Sequence, residues 1–277
     1  MKRLIINADD LGVNTQRTHG IFICAEEGIV TSCSLLPNFA DSNTAAKHAR
    51  ERDVDCGLHL NFTEGAPLSK QDDIRTLLTP DGFFLGRETF HRMLDAGDIQ
   101  REHLEREARA QVEWIFDHYG PPTHLDSHHN THIHSRIIPL LIPILDRYGI
   151  SFVRITREHF DPPFEVSDQQ KEYVAGVTAN AEEAFKLYSA SGIRSTDHFR
   201  GLLLSGNASL KNLRHIIMKL PEGTTELMVH PGSPLPYGLP FDIDPQRQTE
   251  LRMLIDESIP ELLKTQKVEL ISYRDLL

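Results

Sequence analysis

Apolar positions along the chain form short runs that alternate with helical stripes. Leu4-Ile5-Ile6 is too short a run for a helix and closes on Asn7-Ala8-Asp9-Asp10-Leu11-Gly12. That reads as a strand buried on both faces of a parallel sheet, ending in a turn that Gly12 permits. A helix is predicted over 15–28, ended by Gly28, and a strand over 30–36 that breaks at Pro37-Asn38. A second helix runs from Asp41 or Ser42 to Arg52, and a third strand covers 54–60. This β-α-β-α-β rhythm implies parallel strands with right-handed crossovers.

Residues 62–98 interrupt the rhythm with scattered Gly and Pro and with Phe83, Phe84 and Phe90. They read as a long insertion at the strand ends, and long ordered loops in compact domains are usually functional. An amphipathic helix over 100–119 follows, stopped by Gly120-Pro121-Pro122. Next come a strand at 123–126, a polar loop, and a helix at 136–148 whose Pro143 is expected to kink it. Further strands are predicted at 151–155, 195–199, 226–229 and 268–271, with helices at 180–190, 209–219 and 245–264. The segment 156–179 carries no clear pattern. About eight strands alternating with helices point to a (β/α) barrel, distorted or incomplete, over a single domain 1–277. Chemistry in such barrels sits at the C-terminal strand ends.

Composition narrows the partners. There are 277 residues with a formal net charge of -11 and no basic run, which argues against nucleic acid and anionic membranes. Cys24, Cys33 and Cys56 are few, odd in number and set in apolar segments, as expected of reduced thiols in a cytoplasmic protein. Met-Lys-Arg runs straight into the first strand, so no signal peptide is expected ahead of it. No apolar stretch is long enough to span a membrane.

Asp and His recur at the predicted strand ends: Asp9-Asp10, His59, the stretch His124 to His134, Asp197-His198 and His230. A lone His is usually a satisfied surface or core residue, and Asp9-Asp10 alone reads equally well as a solvated turn. Five strand ends agreeing by chance is a much weaker explanation. Two imidazoles and a carboxylate form a mixed N/O site suited to Zn²⁺, Mn²⁺, Fe²⁺, Co²⁺ or, less typically, Mg²⁺. The other carboxylate of the pair can then serve as general base. Spacing alone does not say which aspartate does which. His230, before the rigid Pro231-Gly232 turn, is placed to protonate a leaving group.

Several stretches in order resemble the YdjC-like carbohydrate deacetylases, which include chitooligosaccharide deacetylases. They are Asn7-Ala8-Asp9-Asp10-Leu11-Gly12, Val30-Thr31-Ser32, Gly57-Leu58-His59-Leu60, Thr63-Glu64-Gly65, Thr123 through His132, and His230-Pro231-Gly232. The resemblance spans residue 3 to about 240. It departs at Asn130-Thr131, where members often carry His-Val, and at Leu11, where Phe is common. It implies a deformed (β/α) barrel of the glycoside hydrolase/deacetylase type, often dimeric, so a homodimer is expected. It also implies one divalent metal, Mg²⁺ or Zn²⁺, held by Asp10, His59 and His128. By analogy with related polysaccharide deacetylases, Asp9 would be the general base and His230 the general acid. The reaction would remove the N-acetyl group of an amino sugar or short chitooligosaccharide and release acetate.

The remaining polar residues divide. Asp126 orients His128 or His230, or is a buried cap. Arg154 holds Asp9 ionised, binds a sugar hydroxyl, or makes a surface salt bridge. His129 and His132 read as one outer partner of a ligand and one polar loop residue. Asp197-His198 reads more readily as a bystander than as a participant. The rival readings keep the barrel and metal but change the bond, to a phosphoester, a lactam or a sugar isomerisation.

Overall fold

The computed structural model of the chain describes all residues except 160, 161, 163 and 239. In chain order its first half comprises β1 (Lys2–Leu11), α1 (Thr15–Glu26), β2 (Ser32–Leu35), α2 (Ser42–Glu51), β3 (Cys56–Leu60), α3 (Arg87–Ala96), α4 (Arg101–His118), β4 (Leu125–Ser127) and α5 (Ile138–Tyr148). Then follow α6 (Asp168–Ala190), β5 (His198–Arg200), α7 (Leu210–Met218), β6 (Gly223–Val229), α8 (Pro240–Ile243), α9 (Gln246–Leu254), α10 (Ser258–Thr265) and β7 (Val268–Leu270).

β1 is buried from Leu4 to Leu11, as a continuous apolar run must be. It sits mid-sheet in the order β4-β3-β2-β1-β6-β5, with β7 beside its first residues. Every pairing is parallel. The sheet is continued from β4 toward β5 by single backbone bridges, Leu125 to Val153 and Phe152 to Arg194, giving a deformed barrel. The strand expected at 151–155 is therefore reduced to two bridging residues, because each neighbour offers only one residue to pair with. Leu35, Leu58 and Leu125 on the sheet join Val112, Leu141 and Ile144 of the surrounding helices in one core. Fully burying each such side chain contributes about 1.5–3 kcal/mol before entropy is counted.

Other departures have local causes. Gly28 is no left-handed cap; α1 already ends at Glu26, and a Cβ on Gly28 would lie 2.5 Å from the Leu254 carbonyl oxygen. The helix expected over 245–264 is two helices. Pro260 has no N–H to return to the Asp256 carbonyl, and the Asp256 side chain accepts from Ser258 instead. The helix expected at 180–190 begins twelve residues earlier, at Asp168, capped by the Ser167 side chain. The 62–98 insertion contains α3, and Phe62 and Phe90 stack inside it at 5.9 Å. Phe84 is buried there, whereas Phe83 is exposed. Among the described residues no helix is long and apolar enough to cross a membrane.

Candidate metal centre

Register assembles the site. Asn7 and Ala8 of β1 lie level with Met228 and Val229 of β6, which brings Asp9 and Asp10 beside His230. On the other side His59 of β3 lies level with Asp126 of β4, one residue before the end of each strand. His128 leaves β4 immediately after Ser127. At the end of β1 the alternation of side chains is broken. Asp10 adopts φ 67°, Gly12 follows at φ 96°, and the register with β2 shifts between Ala8 and Leu11. A left-handed aspartate carries strain, and such strain collects at functional sites. Here it turns both neighbouring carboxylates into one cavity.

Asp10 is the carboxylate that faces both imidazoles. Its Oδ1 lies 3.1 Å from His128 Nδ1 and 3.5 Å from His59 Nε2. Donors bound tetrahedrally at about 2.1 Å to one ion stand about 3.4 Å apart. That oxygen is buried and has no hydrogen-bond partner, which is costly unless something else compensates it. The second oxygen faces Arg17 Nη1 at 3.4 Å. Burial pushes the Asp10 carboxyl up, but His128, Arg17 and His230 bring it well below the usual carboxylate range. Burial pushes the His128 imidazolium down, and the Asp10 and Glu64 carboxylates raise it to about 10. The pocket thus holds positive charge strongly. The donor set, one carboxylate and two imidazoles, fits a divalent ion.

Each imidazole has a carboxylate on its far nitrogen. Asp126 Oδ1 is 2.7 Å from His59 Nδ1. Glu64 Oε2 is 3.3 Å from His128 Nε2. Such outer carboxylates fix ring orientation and raise ligand basicity. Asp126 thus partners His59, neither of the two histidines the sequence offered for it. Glu64 is also held through its backbone. Its N–H donates to Asn61 Oδ1, and its carbonyl accepts from the amides of Asn38 and Asn61. Within the motif Thr63-Glu64-Gly65 the sequence carried Glu64 without marking it as a site residue. Its place in a segment just past a His-bearing strand was the available signal.

Arg154 lies below this cluster, fully buried. It grips Asp9 with two bonds of 2.6 Å, Asp126 at 2.8 Å and Glu226 at 2.7 Å. Asn7 Nδ2 donates to Asp9 at 2.8 Å and to Ser34 at 2.7 Å, and Ser34 in turn donates to Asp126. Tyr273 donates to Glu226 at 2.6 Å. Burial raises Glu226 to about 7, Arg154 and Tyr273 only partly offsetting it. Both oxygens of Asp9 are thus engaged by Arg154, whereas Asp10 turns Oδ1 to the two imidazoles and Oδ2 to Arg17.

His230 opens a loop that α9 pins: its backbone N–H donates to Glu250, and Gly232 N–H donates to the Arg247 carbonyl. Burial lowers its imidazolium, with Glu250 and Asp10 opposing. A cavity of about 420 Å³ is lined by Asp9, Asp10, His59, His128 and His230, with Glu64 and Arg87 contributed by the insertion.

Other histidines lie outside the set of Asp10, His59 and His128. His132 is buried between Ser127 Oγ at 2.6 Å and the Arg154 carbonyl at 2.9 Å. His129 Nδ1 pairs with Thr63 Oγ1 at 2.9 Å, and its Nε2 is 3.7 Å from Glu64. Asp197 and His198 stand at the start of β5, not its end. Asp197 accepts from Thr224 N–H and His198 faces the Glu222 carbonyl, at the opposite end of β6 from His230. Four strand ends, not five, carry the constellation.

Fold and site together define an α/β barrel with a carboxylate-imidazole centre at its strand ends. A family model described as YdjC-like protein matches residues 3–265, and the chain belongs to that family. Relatives named carbohydrate deacetylase include a human protein, 32% identical over 293 residues and covering 99% of this chain and 91% of that protein. A mouse protein of the same name is 33% identical over 243 residues, covering 84% of this chain and 78% of that protein. A crystal structure from Enterococcus faecalis, described as a cellobiose-phosphate cleavage protein, superposes with a TM-score of 0.79 at 21% identity. It covers 99% of this chain and 98% of that one, a likeness of fold.

Proposed function

We propose that the protein is a metal-dependent hydrolase that removes the N-acetyl group from an N-acetylated amino sugar or short chitooligosaccharide, releasing acetate, through one catalytic domain spanning 1–277. The carrying observation is the buried, unpartnered Asp10 Oδ1 between His59 and His128, in one cavity with Asp9 and His230. The names of the relatives support the bond and the substrate class.

Asp10, His59 and His128 would hold the ion, and two imidazoles favour Zn²⁺ or a similar ion over Mg²⁺. Such an ion supplies Lewis acidity toward the amide carbonyl and lowers the pKa of a nearby water. Asp9 takes a proton from the attacking water. The bidentate Arg154 grip fixes the orientation of the Asp9 carboxylate. His230 delivers a proton to the departing nitrogen, which otherwise leaves poorly. Burial lowers its pKa, which makes the imidazolium a stronger acid toward that nitrogen. Asp126 and Glu64 keep the two imidazoles aimed.

The test is acetate release from a panel of N-acetylated mono- and oligosaccharides with the metal-replete protein. Turnover of an N-acetyl sugar is expected. Turnover of a phosphoester or lactam, with none of any N-acetyl sugar, would overturn the reading.

A further inference from the structure

α6 is a 23-residue helix with a glycine near its middle. Glycine inside a helix costs about 0.5–1 kcal/mol relative to alanine. Such a residue is ordinarily explained by a left-handed backbone or by something packed where its Cβ would stand. Gly176 has neither: its φ is not positive, and a Cβ there would meet nothing within 4 Å. What lies on its open side is a groove of about 530 Å³ between α6, α3 of the insertion and the turn after β4.

This groove adjoins the metal-centre cavity. Arg87, His129, Asn130 and Tyr173 line both. The partition is a built feature. His129 and Asn130 are consecutive non-glycine residues at φ 58°, an arrangement whose strain the surroundings must hold. Asn130 Nδ2 reaches the Tyr173 hydroxyl at 3.4 Å, and the Arg87 guanidinium lies over the Tyr173 ring at 4.8 Å. Beyond the partition the groove pairs an apolar floor of Ile133 and Val177 with a hydrogen-bonding rim that includes Glu172 and Asn180. Its size falls within the range of small-molecule sites, and apolar lining with a few polar groups is their usual chemistry. A pyranose presents the matching surface, with an apolar C–H face and a rim of hydroxyls.

We infer that this groove is a second saccharide subsite, holding the sugar unit next to the one whose acetamide enters the metal centre, and that Gly176 is glycine to keep it open. The inference rests on the deacetylase reading for the identity of the sugar, not for the existence of the site. The protein is then an oligosaccharide enzyme in preference to a monosaccharide one.

Gly176→Phe fills the groove without displacing a protein atom at the Cβ, and it should fold with a melting temperature at or above that of the parent. Asn180→Phe, one turn along the same wall, serves if the first variant does not fold. Two quantities are read: kcat/KM for an N-acetylated disaccharide relative to its monosaccharide, and calorimetric binding of the deacetylated disaccharide. The parent should prefer the disaccharide. Either variant should lose about tenfold or more of that preference, the size expected when a pocket contact is lost, together with the binding. An unchanged preference in both variants, or a parent that binds disaccharide no better than monosaccharide, overturns the subsite. A parent that binds disaccharide in a Gly176-sensitive way but turns over no N-acetyl sugar keeps the subsite and overturns the deacetylase reading.

Discussion

The two layers of the centre are built on opposite principles. In the lower layer Arg154 is ringed by Asp9, Asp126 and Glu226, and every one of these charged groups has a close partner. In the upper layer Asp10 Oδ1 is buried between the two imidazoles and has no hydrogen-bond partner. The lower layer is borne by strands and the bridging residues around Val153; the upper is borne by a left-handed residue and by loop segments. A network with all partners in place rigidifies its members. An incomplete one costs energy unless something external completes it. The division separates groups that hold geometry from groups that await a ligand, with Asp9 as the hinge between them.

Substitutions in the two layers should therefore fail differently. Asp9→Asn keeps the shape and the upper cluster intact, so metal content should stay full while hydrolysis falls by ~10²–10⁴-fold. Acetate release and metal analysis on the same sample check this, and loss of metal would exchange the roles of the two aspartates. Arg154→Met strands three buried carboxylates. It should cost about 3–5 kcal/mol of stability, read by denaturant unfolding, and a loss confined to activity would contradict the scaffold role.

The lower layer should also show in the pH dependence of stability. Burial raises Glu226 from 4.5 to about 7 in the folded chain, so the folded state binds its proton more tightly than the unfolded state. Its contribution is therefore most favourable below about pH 4.5 and declines as pH rises toward 7. At about 1.4 kcal/mol per unit the change is on the order of 3 kcal/mol. Comparing unfolding of the parent with Glu226→Gln across pH 5–8 isolates it, and parallel curves would remove Glu226 as the source. The smallest effect belongs to Glu64→Gln, which leaves Asp10, His59 and His128 in place. Metal affinity should weaken about 10- to 100-fold, as for other outer partners of ligating histidines, with little change in unfolding. An unchanged dissociation constant for Zn²⁺ would show that Glu64 does not orient His128.

Much of this is legible in the sequence. The apolar run Leu4–Ile6 ending at Asp9-Asp10, the placement of His59 and His128 at the ends of short strands, and His230 before Pro231-Gly232 follow from local periodicity and the rule that barrel chemistry gathers at strand ends. These are properties of a few neighbouring residues, so sequence determines them. Three things were decided only by the tertiary structure. Asp126 proved to partner His59 because register sets the two side by side, and register belongs to pairs of strands. Arg154, which the sequence offers as a partner of Asp9 among other readings, proved to be the buried centre of the lower layer because Asp126 of β4 and Glu226 of β6 reach it from separate strands. Asp197-His198 fell to the wrong end of the sheet because a strand boundary moved by a few residues reverses which end a side chain occupies. Periodicity reports which face a residue takes along its own element; which residues meet across elements depends on long-range packing that no short window of sequence contains.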